Sequence, residues 1–234
     1  MSSLQIPDRS GDSRNLTVEA QLIATGRHLL ARSLAWGTSG NLSARLDADT
    51  MLVSASGTDM GDLAPGDLVS VRVSDGTWSG PRKPSKEVPM HIGIYQQRPD
   101  ARVVLHSSPH YTTLIACSGE NIPSQLFIET LYYLERIAWV DYAHPGSVEL
   151  GAAVKEASRH AEVIMMRNHG VILFDQSCAE AVMRLQALEM ACRMIVEAKA
   201  AGITLGKIPE HVAREFLHSG RYKPRQPWHS PATG

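Results

Sequence analysis

The sequence predicts an α/β domain in which a mixed sheet is flanked by helices. Three observations carry that expectation. Short apolar runs such as Arg102-Val-Val-Leu-His106 and Val163-Ile-Met-Met166 have the character of buried strands. Stretches with helical spacing of apolar residues interleave with them, and their order lacks a clean βαβ rhythm. With 234 residues the chain can bury a full core within one domain. No repeat, low-complexity tract or Gly/Ser linker divides it, so residues 16–218 are expected to form a single domain. Residues 1–15 are expected as a polar, mobile lead-in and 219–234 as a Pro-rich, exposed tail.

The elements follow in order. Thr17 can cap a helix reaching about Leu34, with Leu22, Ile23, Leu29 and Leu30 near helical spacing. A Gly-Thr-Ser-Gly turn at 37–40 precedes short strands over Asn41–Leu46, Met51–Ser54 and Leu68–Val73. Pro84-Ser85 opens a helix from about Lys86 to Gln97, which stops before Pro99. A strand then ends at His106, and Ser108-Pro109 reads as an N-cap and first helical residue that place His110 in the first turn. Ile137–Tyr142 is strand-like, and Ser147 caps a helix to about His160. The pair of apolar runs around Asn168-His169-Gly170 is followed by a long helix over Cys178–Ala201, closed by Gly202. A short helix over Pro209–Leu217 comes last.

Composition removes several functions. Lys and Arg together number 23 and Asp and Glu 24, with no basic stripe, so binding to nucleic acid or a membrane surface has no electrostatic support. No apolar run is long enough to span a bilayer. The polar start lacks the apolar stretch of a signal peptide. Cys117, Cys178 and Cys192 follow no CxxC spacing, which predicts free thiols and a reducing cytoplasm. Neither GxGxxG nor a P-loop is present.

The chemistry concentrates in three segments: Glu87 early in a helix, His106 with His110, and His169 in the turn between two apolar strands. Neutral imidazoles with a carboxylate suit one divalent ion, Zn²⁺, Mn²⁺ or Fe²⁺, with a position left for substrate. A lone histidine at a strand end is more often a hydrogen-bonded core residue. Three in such contexts beside a glutamate favour metal. His28, His91, His144, His160, His211, His218 and His229 sit in helical or tail contexts that predict structural or solvated roles.

Taken together, these pieces resemble the class II aldolase/adducin family. The resemblance rests on Gly37-Thr-Ser-Gly-Asn41-Leu-Ser-Ala-Arg45, Ser54-Ala-Ser-Gly57, Pro84-Ser-Lys-Glu87 with His91, Ile94-Tyr-Gln-Gln-Arg-Pro-Asp100, Val103-Val-Leu-His106 and Arg167-Asn-His-Gly170. It spans about Leu22 to Ala200. It implies a three-layer α/β/α sandwich with a mainly antiparallel central sheet, a homotetramer with active sites between subunits, and a small-molecule carboxylate or sugar phosphate as substrate. Carried onto this sequence, it makes His106 and His169 metal ligands, and Glu87 a ligand or proton carrier. Asn41, Ser56, Gly57 and Ser85 become a polar pocket for the substrate's far anionic group.

Three departures from the family pattern bear on the reaction. Ser108 stands where a second ligand histidine is usual, and His110 is the expected substitute, a helix-surface histidine near substrate being the alternative. Lys86 replaces a second serine and can pair with an anion as a point charge, as can Arg82. Phe127 falls near the place of a catalytic tyrosine in the fuculose-phosphate enzymes, leaving Tyr132, Tyr133 or Tyr222 as possible proton carriers. Decarboxylation needs one late protonation and tolerates that loss. A metal-dependent decarboxylase of a hydroxylated aromatic or 3-oxo acid is therefore the leading expectation, ahead of a sugar-phosphate aldolase and of a non-catalytic adducin-like domain.

Overall fold

Alternation along the strands builds the architecture. In a computed structural model that describes residues 17–219 and 222–223, strand β1 (Asn41–Arg45) sends Leu42 and Ala44 to one side of the sheet and Asn41, Ser43 and Arg45 to the other. All five are buried, so helices cover both faces. The remaining strands are β2 (Thr50–Ser54), β3 (Leu68–Arg72), β4 (Trp78–Ser79), β5 (Val103–Ser107), β6 (Ile137–Val140), β7 (Val163–Met166) and β8 (Gly170–Asp175). They form one eight-stranded sheet in the order β4-β3-β2-β1-β5-β8-β7-β6. Every neighbouring pair is antiparallel except β6 and β7. The sheet is mixed and mainly antiparallel, as expected.

One face packs against α1 (Val18–Ala31), α3 (His110–Ser118), α4 (Ile128–Tyr133) and α6 (Cys178–Ala200) through Leu22, Leu29, Ile115, Tyr133, Leu185 and Leu188. The other packs against α2 (Val88–Gln97) and α5 (Val148–Ala157) through Met90, Ile94, Leu150 and Val154. A last helix, α7 (Glu210–Ser219), carries Leu217 beside Tyr132 of α4. These are the three layers the family resemblance implies. Among the described residues, no helix is long and apolar enough to cross a membrane.

Thr17 and Ser147 cap their helices as the sequence predicts, accepting from the backbone N–H of Ala20 at 3.2 Å and Leu150 at 3.1 Å. Three local expectations need correction. The first helix ends at Ala31, before Ser33 turns left-handed (φ 56°). Trp78–Ser79 and Ile128–Tyr133 form a strand and a helix too short to leave a periodic signal. The third concerns Ser108, which does not cap α3. Pro109 keeps an extended backbone, so the helix starts at His110, and its N–H groups are taken by Glu189 of α6. The Glu189 carboxylate accepts from Tyr111 N at 3.0 Å and Thr112 N at 2.8 Å. A carboxylate aligned with the positive end of the helix outcompetes a local serine. The lead-in at 1–15 and nearly all of the tail lie outside the described residues.

Candidate metal centre

His106 sits on β5, between Asn41 of β1 and Ile172 of β8, on the α2 side of the sheet. Its Nδ1 lies 2.9 Å from the Val171 carbonyl. A carbonyl only accepts, so Nδ1 carries the proton and Nε2 presents a lone pair to the centre. His169 occupies the tight turn from β7 to β8. Asn168 is left-handed there (φ 56°), and Gly170 has φ 148°. A Cβ on Gly170 would fall 2.6 Å from the Ser107 carbonyl oxygen, so the close approach of the turn to β5 admits glycine alone. Ser108 Oγ donates to the His169 carbonyl at 3.2 Å and ties the turn down. Glu87 is the residue just before α2. Its segment is fixed by Ser85 N donating to the Ser54 carbonyl at 3.0 Å, and Ser85 Oγ accepts from Glu87 N at 3.2 Å.

These segments converge. His106 Nε2 lies 3.2 Å from Glu87 Oε2, and His169 Nε2 lies 3.1 Å from Glu87 Oε1. The three ligand atoms all fall within 4.8 Å of one another. Atoms arranged tetrahedrally around Zn²⁺ at bond lengths of about 2.1 Å stand about 3.4 Å apart, so the set has the right span. Oε2 also accepts from Asn41 Nδ2 at 2.8 Å. Oε1, despite its nearness to His169, has no aligned donor, and His169 Nδ1 is buried without a partner. A buried carboxylate that turns one oxygen to each of two imidazole nitrogens, with Oε1 left unsatisfied, fits a cation better than a closed hydrogen-bond network does. Burial works to raise the Glu87 pKa, but the nearness of the His106 and His169 rings outweighs it and holds the carboxyl well below the usual carboxylate range.

The other sequence-predicted residues are placed as follows. His110 does not join the cluster. It is exposed at the start of α3, with its ring edge-on to Tyr111 at 5.1 Å. The helix begins one residue later than Ser108 capping would have set it, and the place of the expected second ligand is filled by Ser108, bonded to the His169 carbonyl. Ser56 and Gly57 are exposed beyond β2, and Ser56 N donates to the Lys83 carbonyl at 3.0 Å, so their turn lies beside the 84–87 segment. Ser85 is buried there and Lys86 is exposed. Arg82 is engaged by Asp67 and by the Ser56 carbonyl, which removes it as a free anion anchor. Asn41 is turned inward, with its Oδ1 2.5 Å from His91 Nε2. Tyr222 packs against Tyr132 and Phe216 near Glu180, at the Asp175 end of β8. A six-residue strand spans roughly 17 Å, so within one chain Tyr222 is far from His169. Phe127 is half-buried against the core at the start of α4.

The sequence reading missed how His91 and Tyr95 take part. Glu87, His91 and Tyr95 recur every four residues, one face of a helix. Asn41, Ser43 and Arg45 recur every two, one face of a strand. The two polar rows face each other, and only the matching of both periods would have revealed it.

Residues 20–196 match the family described as the Class II Aldolase and Adducin N-terminal domain. The chain belongs to that family. Among its relatives is the 5-methylthioribulose-1-phosphate/5-deoxyribulose-1-phosphate aldolase of Rhodospirillum rubrum, 34% identical over 69% of this chain and 72% of the relative. Another is the 3-oxo-tetronate 4-phosphate decarboxylase of Pectobacterium atrosepticum, 30% identical over 75% of this chain and 82% of the relative. A solved L-fuculose 1-phosphate aldolase superposes with a TM-score of 0.76 at 25% identity, covering 90% of this chain and all of its own. The relatives thus include both aldolases and decarboxylases.

Proposed function

We propose that the chain is a divalent-metal-dependent carbon–carbon lyase whose reaction is the decarboxylation of a 3-oxo acid bearing a second anionic group. The observation that carries the proposal is the convergence of His106, His169 and Glu87, largely buried and with Glu87 Oε1 unsatisfied. His106 and His169, with Glu87 in reach, would hold the ion, whichever of Mn²⁺, Zn²⁺ or Fe²⁺ is native. A divalent ion there supplies Lewis-acid stabilisation of negative charge on a substrate oxygen. That convergence of donors speaks against a non-catalytic adducin-like role.

In the reaction, the bond between the substrate's carboxylate and its α-carbon breaks. The electron pair stays with the substrate, CO₂ leaves, and one proton from solvent is added to the α-carbon. Glu87 is assigned that proton transfer. Oε2 accepts from Asn41, so Oε1 is the oxygen that faces the ion or carries the proton. Lys86, exposed beside Ser56, Gly57 and Ser85, meets the far anionic group as a point charge. Phe127 favours decarboxylation over aldol cleavage, since a phenyl ring carries no proton. A homo-oligomer is proposed from the family resemblance and would cover the exposed Trp36, whose indole N–H donates to the Ser108 carbonyl beside the site.

The test is CO₂ release from a 3-oxo acid phosphate. We expect EDTA to abolish it, Mn²⁺, Zn²⁺ or Fe²⁺ to restore it, and Glu87→Gln to lower kcat by about 100-fold or more. Metal-independent turnover would refute the proposal. Faster cleavage of a ketulose 1-phosphate into dihydroxyacetone phosphate and an aldehyde would transfer it to the aldolase reading, which the Rhodospirillum relative supports.

A further inference from the structure

The polar row behind Glu87 is continuous. Glu87 Oε2 meets Asn41 Nδ2 at 2.8 Å, Asn41 Oδ1 meets His91 Nε2 at 2.5 Å, His91 Nδ1 meets Ser43 Oγ at 2.7 Å, and Ser43 Oγ meets Tyr95 OH at 3.0 Å. Every member is buried, His91 and Ser43 completely. Donor and acceptor roles can be assigned from the carboxylate outward. An ionised carboxylate only accepts, so Asn41 must turn its amide nitrogen to Glu87. Its carbonyl oxygen then faces His91, whose Nε2 must carry a proton. A neutral imidazole with Nε2 protonated has a lone pair at Nδ1, which accepts the Ser43 hydroxyl proton. Ser43 Oγ is left to accept from Tyr95, whose other acceptor, the Arg102 carbonyl, is farther at 3.4 Å. Each hydrogen bond thus points the same way, toward Glu87.

We infer that His91 is a positioning residue: held as the Nε2-protonated tautomer by Ser43 and Tyr95, it locks the Asn41 amide and through it the orientation of the Glu87 carboxylate. Without that lock the Asn41 amide can rotate and present its oxygen to the carboxylate, two acceptors in contact, and the Glu87 side chain turns away. Burial of His91, which pushes its pKa down to about 3, keeps the ring neutral as the chain of donors requires. The hydrogen bonds connect His91 to Glu87 through Asn41, and His91 acts by that route. As a statement about Glu87, the inference rests on the proposed role of that residue in the site.

Two measurements test it, and the first needs no activity. Long-range ¹H–¹⁵N NMR of ring-labelled protein should show His91 protonated at Nε2 and bare at Nδ1; the opposite tautomer, or a doubly protonated ring at neutral pH, would overturn the inference even if the enzyme proves to be a decarboxylase. The second is a double-mutant cycle read in kcat and in Zn²⁺ affinity. His91→Leu keeps the volume and deletes both ring nitrogens. It should lower kcat or Zn²⁺ affinity by about 10-fold or more, leave KM for substrate within about two-fold, and have little further effect when Asn41→Ala is already present. His91→Gln, which can still donate to Asn41 Oδ1, should recover part of the loss. Full additivity of His91→Leu and Asn41→Ala would overturn the inference.

Discussion

Strand β1 has one face like an ordinary core and one unlike it. Leu42 and Ala44 meet an apolar layer from α1 and α6, whereas Asn41, Ser43 and Arg45 meet His91, Tyr95 and the end of α2 through hydrogen bonds. Both faces are buried. The difference lies in what each can tolerate. The apolar face is non-directional, so it sets stability but specifies no atom's position. The polar face is directional, costs free energy wherever a partner is missing, and in return holds Glu87 at one place beside His106 and His169. A single strand carries scaffold on one side and active-site support on the other.

The sharpest way to separate the faces is to delete one side chain from each. Leu42→Ala should cost about 2–5 kcal/mol in urea unfolding while turnover per folded molecule stays near wild type. Ser43→Ala, next to it, should cost less, about 1–3 kcal/mol, because His91 Nδ1 and Tyr95 OH lose their partner, but it should lower turnover. A catalytic defect in Leu42→Ala equal to that of Ser43→Ala would erase the distinction.

Acid should act on the polar face alone. Burial lowers the His91 pKa to about 3 from an ordinary value of 6.5. The unfolded chain therefore binds a proton that the folded chain refuses, and stability falls as pH drops below about 6.5, by up to about 1.4 kcal/mol per pH unit. Urea midpoints for wild type and His91→Leu at pH 7 and pH 5 check this. The variant should lose less on acidification, and parallel losses would contradict the buried neutral histidine. The smallest effect is expected at Ser108→Ala, about 1 kcal/mol for one hydrogen bond to the His169 carbonyl, with metal affinity reduced only slightly.

Much of this was legible in the sequence, and the limits are physical. Local signals worked where the deciding interaction is local: Thr17 and Ser147 cap their own helices, and the runs at 103–107 and 163–174 are the strands they read as. The same logic failed at Ser108, because the carboxylate capping α3 comes from Glu189, far along the chain. That displaced start helps leave His110 on the surface instead of beside His106. The alternation Asn41-Leu-Ser-Ala-Arg45 reads as a half-exposed strand by itself. Only tertiary packing shows that its polar side is buried against a second polar row on α2. Glu87, His106 and His169 were findable from residue type at strand and helix ends, whereas Tyr222 was named for its chemistry and lies at the other end of β8.

The central claim is that Glu87, His106 and His169 form the metal centre without His110. Metal content per chain, measured by inductively coupled plasma mass spectrometry after chelator-free purification, addresses it directly. Wild type and His110→Ala should each carry close to one divalent ion per chain, and His106→Ala and His169→Ala close to none. Full metal in both of those variants, or loss confined to His110→Ala, would contradict the account.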